Sequence, residues 1–316
     1  MANVVRLQRV QVRASGGLSG LGGRQKPELQ AAPLQDRLAT PVVVAGAAGN
    51  MGRAVIRAVN QARGLQLVGA VDVRAVGEDS GTHAGCEEET GLPIVDDILV
   101  VLGSAAQQER PCVYVDFSAP DAAFENSKHA MAFGLRPVVG TRGLTNKQIS
   151  KLSEMADKSS LGCVVAPSFS IGLALLQQAA QSAAFHYKYA EIVESLSDGE
   201  ASRPSLDALE TANSISGLGR IFNADESNVD NFWEMPSVSA ESGPGEGVVV
   251  GDGVRVHCLR SRGKPSTLEM LFSGPHDTYT IKAESLSYDA YAPGVLLAIR
   301  KVVGLKGFVY GIETMV

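Results

Sequence analysis

A short apolar run, a glycine-rich turn and an amphipathic stretch follow one another without a gap in residues 41–62, PVVVAGAAGNMGRAVIRAVNQA, and no other feature limits the fold as much. Val42, Val43 and Val44 suit a strand buried on both faces, the setting of a central strand in a parallel sheet. Val55, Ile56 and Val59 then recur at helical spacing over 53–62. A buried strand that turns directly into a helix is the opening of a β-α-β unit, so the next strand lies parallel to the first.

The alternation continues. Residues 65–71 read as a second strand ending at Asp72, and 113–117 as another. A helix follows over 121–133, with Asp121 as its expected cap after Pro120, then a strand over 137–139. A helix over 145–156 capped by Thr145 and a strand over 163–166 complete a doubly wound parallel sheet. After Pro167 the character changes. A small-residue helix over 172–184, a strand over 190–195 and a helix over 206–218 precede a Gly-, Ser-, Glu- and Pro-rich stretch at 227–253. Strands over 254–259, 267–272 and 279–284 imply a second, smaller α+β domain with an open antiparallel or mixed sheet, and Pro293 opens a closing helix. The expected division is a leader at 1–40, a nucleotide domain at 41–166, a substrate-like or oligomerisation domain at 167–292, and a C-terminal helix and tail at 293–316 that return to the first domain.

The turn itself carries chemistry. In Gly46-Ala47-Ala48-Gly49-Asn50-Met51-Gly52 the first glycine allows a tight turn, the second a close approach to phosphate, and the third close packing of helix on sheet. The uncapped helix start offers N–H groups and a positive dipole to a pyrophosphate. The spacing G-x-x-G-x-x-G is one residue off the commonest dinucleotide fingerprint, but its strand–helix context and an acid about 20 residues on strengthen it. That acid, Asp72, is placed for a ribose hydroxyl, with Arg74 two residues beyond. NADPH and NADH both stay open as cofactor.

A net charge of −6 with 45% hydrophobic residues argues against nucleic acid or an anionic membrane as partner, and no apolar run is long enough to span a bilayer. Cys86, Cys112, Cys163 and Cys258 lie far apart, which implies free thiols and neither disulfides nor a metal cluster. Residues 1–27 contain no acid, five arginines and lysines, and five glycines, the composition of an organelle transit peptide. Val12-Arg13-Ala14 looks like a plastid processing site; a disordered tail is the alternative.

Several ordered motifs resemble the 4-hydroxy-tetrahydrodipicolinate (dihydrodipicolinate) reductase family, the NAD(P)H enzymes of bacterial and plastid lysine synthesis. The opening loop VAGAAGNMGRAV is similar to that family's, Val115-Asp116-Phe117-Ser118 with Pro120 to its V-D-F-T-x-P, and Gly140-Thr141-Arg142-Gly143 to its G-T-T-G. Ala166-Pro167-Ser168-Phe169-Ser170 resembles A-P-N-F-S, Val256-His257-Cys258-Leu259-Arg260 resembles I-H-S-V-R, and 293–301 matches almost letter for letter. The resemblance implies a Rossmann-like first domain, with Phe117, Gly140, Thr141, Arg142, Ala166 and Phe169 also along the cofactor. It further implies a homotetramer paired through the second sheet.

The resemblance breaks where the family carries its chemistry. Residues 191–209 read EIVESLSDGEASRPSLDAL against the family's E-I-I-E-x-H-H-x-x-K-x-D-A-P-S-G-T-A-L. The two family histidines, one for acid–base work and one for substrate binding, fall on Leu196 and Ser197, and the lysine falls on Glu200. The Gly-Thr whose backbone holds a substrate carboxylate falls on Leu206-Asp207, and Arg142 and Ser168 replace Thr and Asn. Leucine transfers no proton and serine titrates far too high to replace imidazole. Glu200 and Asp207 add negative charge beside a site built for a dicarboxylate, and Arg142 intrudes near the expected nicotinamide. No catalytic residue of the family set is retained. Among the remaining histidines (His83, His129, His186, His257, His276), His257 comes nearest by position and reads as a sheet histidine. Arg142 and Arg203 are open to carboxylate binding or to ordinary surface ion pairs.

The expected function is a reductase-like protein of the chloroplast stroma that has left lysine synthesis. A plastid branch of the family without the catalytic set implies a role in assembling the chloroplast NAD(P)H dehydrogenase-like complex, with its subunits or assembly factors as partners. The alternatives are an active reductase on dihydrodipicolinate or another small imine, and a nucleotide sensor.

Overall fold

The computed structural model describes residues 39–196, 204–218, 221–223, 247–260 and 265–316. The expected leader, and with it Ser197, Glu200 and Arg203, lie outside the described residues apart from 39–40.

The first domain is a seven-stranded parallel sheet. Its strands are β1 Thr40–Ala45, β2 Leu65–Val71, β3 Ile94–Val95, β4 Val113–Asp116, β5 Arg136–Val139, β6 Gly162–Val165 and β12 Gly307–Tyr310, in the order β12-β6-β5-β4-β1-β2-β3. Alternation along the strands feeds two cores. Val42, Val44, Val113 and Val115 pack on one face, whereas Val43 and Tyr114 pack on the other. The first face is covered by α1 (Asn50–Gln61) through Val55, Ile56 and Val59 and by α8 (Ala292–Val302) through Val295, Ile299 and Val302. The second face is covered by α3 (Ile98–Ala105) through Val101 and Leu102. Helices α2 (Ser80–Ala84), α4 (Pro120–Ala132) and α5 (Asn146–Ser159) complete the layers.

The second domain is a five-stranded sheet of order β11-β10-β7-β9-β8, built from β7 Tyr189–Leu196, β8 Val248–Val250, β9 Val254–Arg260, β10 Ser266–Ser273 and β11 Thr278–Ser285. Helices α6 (Ile171–Ala184) and α7 (Leu206–Ile215) cover one face, where Leu173, Leu176, Ile215, Ile192, Met270 and Phe272 form a separate core. Gln177 of α6 donates to the Thr211 hydroxyl of α7 at 3.2 Å inside it.

The second sheet is the mixed one of the two expected forms: β7 and β9 run parallel, because the chain between them crosses over through α7. One expectation needs correction. Asp121 does not cap α4; Pro120 fixes the first helical position and Ala119 precedes it, leaving Asp121 in the first turn. The C-terminal tail returns to the first domain as a strand, Gly307–Tyr310 (β12), which pairs with β6. Thr145, in contrast, caps α5 through a reciprocal capping box with Gln148.

Candidate functional site: a cleft at the strand ends

The carboxyl ends of β1, β4 and β5 face the second domain across a cleft of about 630 Å³. This is the switch point of the sheet, where β1 is flanked by β2 on one side and β4 on the other, the place where ligands bind in open α/β sheets.

The glycine turn after β1 shapes one wall. Gly46 has φ +74°, and a Cβ on Gly52 would stand 2.0 Å from the Gly46 carbonyl oxygen, so helix and turn interlock backbone to backbone. Helix α1 starts at Gly49 with no side-chain cap and no acid in its first turn, which leaves its orphan N–H groups to a ligand. Within the turn the roles divide. Ala48, Gly49, Asn50 and Met51 have accessible surface, whereas Gly46, Ala47 and Gly52 are buried. Ala47, read from the sequence as a cofactor contact, is instead a core residue, and so is the fully buried Ala166 after β6. Both support the site from within. Asp72 is mostly buried: one carboxylate oxygen accepts the Ala48 N–H at 2.9 Å and the other the Arg74 N–H at 2.9 Å. It therefore braces the glycine turn. The Arg74 guanidinium folds back to 3.4 Å from Asp72 and lies within 3.8 Å of where a Cβ on Gly49 would stand. That puts a cation beside the glycine turn.

The second wall hangs on Asp116, which sequence reasoning left as an unremarked member of its motif. Fully buried, it accepts hydrogen bonds from the Tyr114 hydroxyl, from the Ser118 N–H and hydroxyl at 2.7 and 2.6 Å, and from the Thr141 hydroxyl at 3.1 Å. One carboxylate thus fixes the loops after β4 and β5. Burial first, then the Asp116 charge, holds the Tyr114 phenol well above its ordinary range, so it stays a donor. Phe117 meets Phe169 edge-on with ring centroids 5.9 Å apart, an apolar floor beside Gly140.

The second domain closes the cleft with Leu196 at the end of β7 and with the start of α7. Ser205 caps α7 by accepting the Ala208 N–H at 3.1 Å. Arg142 and Asp207 correct the sequence reading of an intruding cation and a separate added anion. They form one pair: Arg142 Nη2 donates to both Asp207 oxygens, at 3.1 and 3.0 Å, and Nε donates to the Pro167 carbonyl at 3.0 Å. The pair joins the β5 loop of the first domain to α7 of the second. Burial raises the Asp207 carboxyl, Arg142 pulls it back down, and Glu194 pushes it up. None of the histidines lines the cleft; His257 sits on the outer face of the second sheet, 3.2 Å from Glu191. No group of His, Cys, Asp and Glu among the described residues could hold a metal ion.

Glu194, also missed as a site residue, lines the cleft while only 1% exposed. Its signal lay in the alternation of β7, which places it on the buried face with Ile192.

A second joint between the domains lies behind α7. Tyr310 of β12 donates to Glu210 at 3.3 Å, and Gln178 of α6 donates to the Glu313 carbonyl at 2.7 Å. Burial, then Asp207 and Glu313, lift the Glu210 carboxyl from its ordinary 4.5 to about 7. The folded chain then keeps a proton that the unfolded chain loses from about pH 4.5 upward, so this contribution to stability is full below that pH and disappears as pH rises through about 7. A shift of that size corresponds to ~3 kcal/mol in a fully buried group, and about 1 kcal/mol after screening by the solvent that reaches Glu210. Urea melts at pH 5 and pH 8 should show Glu210→Gln losing about 1 kcal/mol of the wild-type difference; an unchanged difference would place the pH dependence elsewhere.

The comparisons with known proteins agree with this geometry. Residues 40–169 match the family model for the dihydrodipicolinate reductase N-terminus, and 172–316 the model for its C-terminus. The "dihydrodipicolinate reductase-like protein CRR1, chloroplastic" of Arabidopsis thaliana is 45% identical over 273 residues, covering 86% of this chain and 87% of that protein. The 4-hydroxy-tetrahydrodipicolinate reductase of Mastigocladus laminosus is 43% identical over 279 residues, 86% of this chain and 96% of that one. A solved structure of dipicolinate-bound dihydrodipicolinate reductase from Paenisporosarcina sp. TG-14 superposes with a TM-score of 0.72 at 25% identity, over 88% of this chain and 100% of that one. A Rossmann dinucleotide-binding domain suited to NAD(P)H, a mixed second sheet and both family halves in order leave one assignment: the chain belongs to the dihydrodipicolinate reductase family.

Proposed function

We propose that this chain is an NAD(P)H-binding member of the family that does not reduce dihydrodipicolinate, and that it acts in the chloroplast in assembly or stabilisation of the NAD(P)H dehydrogenase-like complex. The observation that carries the first half is Leu196, an aliphatic side chain in the cleft at the position of the family's acid–base histidine. The cofactor would be held by Ala48 to Met51 and the start of α1 at the phosphates, by Asp72 and Arg74 at the ribose, and by Phe117, Thr141 and Phe169 toward the nicotinamide. When bound, NAD(P)H supplies a hydride. Among the described residues that line the cleft there is no histidine or lysine to hold or deliver the proton that follows, and the one cation, Arg142, is committed to Asp207.

The plastid setting and the assembly role rest on the similarity to the chloroplast relative and on the acid-poor N-terminal leader. Copies of the chain pair as a homo-oligomer, a tetramer by family resemblance, through the outer face of the second sheet, which presents Val193, Leu259 and Leu271 and which no described helix covers. Tagged protein isolated from chloroplast stroma is expected to bring down subunits or assembly factors of the dehydrogenase-like complex at stoichiometric yield. A clean preparation without them would remove the assembly role while leaving the catalytic reading intact. A second reading, reduction of another small imine, is favoured by the open cleft and the undamaged nucleotide turn.

A further inference from the structure

The cleft holds a carboxylate that the nucleotide site does not use. Glu194 Oε1 accepts the Ser205 N–H at 3.0 Å and faces the Arg260 guanidinium at 3.6 Å, whereas Oε2, in a side chain 1% exposed, has no hydrogen-bond partner. The neighbouring Cys258 thiol is pushed up to about 12, by burial first and by Glu194 next, so it stays protonated and offers only a weak donor. Ser168 Oγ, in the same cleft, is likewise buried without a partner. A buried carboxylate oxygen with no better donor than a thiol keeps part of its desolvation cost, which a ligand N–H would relieve.

The field in the cleft has the matching sign. Its charged lining residues among those described are Arg142, Asp207 and Glu194, with no lysine or histidine. Arg142 is spent on Asp207, so a dianion finds no uncommitted cation among the described lining residues. A small cation finds Glu194 Oε2, the Ser168 hydroxyl and the Phe117–Phe169 floor. An iminium ion would also arrive with its proton already in place, and would ask nothing of Leu196.

Resting on the reading that dihydrodipicolinate is not the substrate, we propose that this cleft binds a small cationic nitrogen ligand, an amine or iminium, that donates an N–H to Glu194 and the opposite of the family's dicarboxylate. The test uses full-length protein saturated with NADPH and three pyridines of one shape, titrated calorimetrically: 2,6-bis(aminomethyl)pyridine, pyridine-2,6-dimethanol and pyridine-2,6-dicarboxylate. The diamine is expected to bind tightest and the dicarboxylate weakest, at least ~10-fold apart, with the gap narrowing in high salt. Glu194→Gln should cut the diamine affinity about 10-fold and leave the NADPH titration unchanged. Because that variant leaves Arg260 without its carboxylate and puts the fold at risk, the wild-type rank order serves as the independent measurement. Dicarboxylate binding as tight as the diamine, without dihydrodipicolinate turnover, overturns the ligand class alone; the same binding with turnover overturns the functional reading as well. NADPH binding with no heat from any pyridine at ~10 mM overturns the proposal and spares that reading.

Discussion

Purified protein supplied with NADPH and dihydrodipicolinate should show a kcat/KM at least ~1,000-fold below that of the Mastigocladus laminosus reductase assayed beside it. A positioned acid or base contributes roughly 100- to 10,000-fold, and Leu196 forfeits that contribution outright. Recognition fails separately. A dicarboxylate entering the cleft must either break the two-pronged Arg142–Asp207 contact or approach the buried Glu194 carboxylate, whose Oε2 has no hydrogen-bond partner. Because the losses are of two kinds, restoring one set does not restore the other. Leu196→His, Ser197→His and Glu200→Lys together should recover no more than about 10-fold, since the Arg142–Asp207 pair still spans the cleft. Adding Arg142→Thr, Leu206→Gly and Asp207→Thr should recover substantially more. Turnover by the unaltered chain within about a hundredfold of the Mastigocladus enzyme would sink the reading.

The same contrast shows which features could be read along the chain and which could not. Valine runs betray β1 and β4 because a strand buried on both faces needs no partner to be recognised, and Thr145 with Gln148 marks the start of α5 locally. β12 is four residues long and exists through pairing with β6, some 145 positions earlier, so nothing local announces it. α3 reads ILVVLGSA, apolar all round and without helical periodicity, and Leu99 and Val100 remain exposed on it. β7 and β9 alternate in the same way whether their partner runs parallel or antiparallel, and the crossover decides between the two.

In the site, residue types were legible and partnerships were not. The loss of imidazole at Leu196 is a statement about composition at one position. The Arg142–Asp207 contact joins residues 65 positions apart on different domains, and separately each looked like an intruder. Ala47 and Ala166 looked like cofactor contacts because their motifs touch the cofactor, but a methyl group in such a motif can just as well face the core. Glu194 was hidden in plain view as a conservative part of the strand, and its burial becomes informative only once Oε2 is seen to lack a donor.

Gly52→Ala should abolish NADPH binding, with affinity falling at least ~100-fold, and should destabilise the fold by about 2–3 kcal/mol. In a helix the substitution would ordinarily help, by ~1 kcal/mol. Here the added Cβ meets the Gly46 carbonyl oxygen at 2.0 Å, its carbon at 2.8 Å and Ala47 Cα at 2.9 Å. All three are backbone atoms of the turn, so no rotamer change relieves the clash. Either α1 moves off the sheet, opening the core at Val55 and Ile56, or the turn is displaced. Both outcomes pull the orphan N–H groups at the start of α1 away from where a pyrophosphate would lie. Gly64→Ala is the matched control. Gly64 has φ +78° with open space around its missing Cβ, and it lies just beyond the far end of α1. It should cost ~1–2 kcal/mol of backbone strain and leave NADPH affinity unchanged. Calorimetric titration and urea melts on the two variants separate the alternatives. Equal NADPH binding by Gly52→Ala and wild type would show that the glycine turn is a packing device alone, and the nucleotide would have to be sought elsewhere on the sheet.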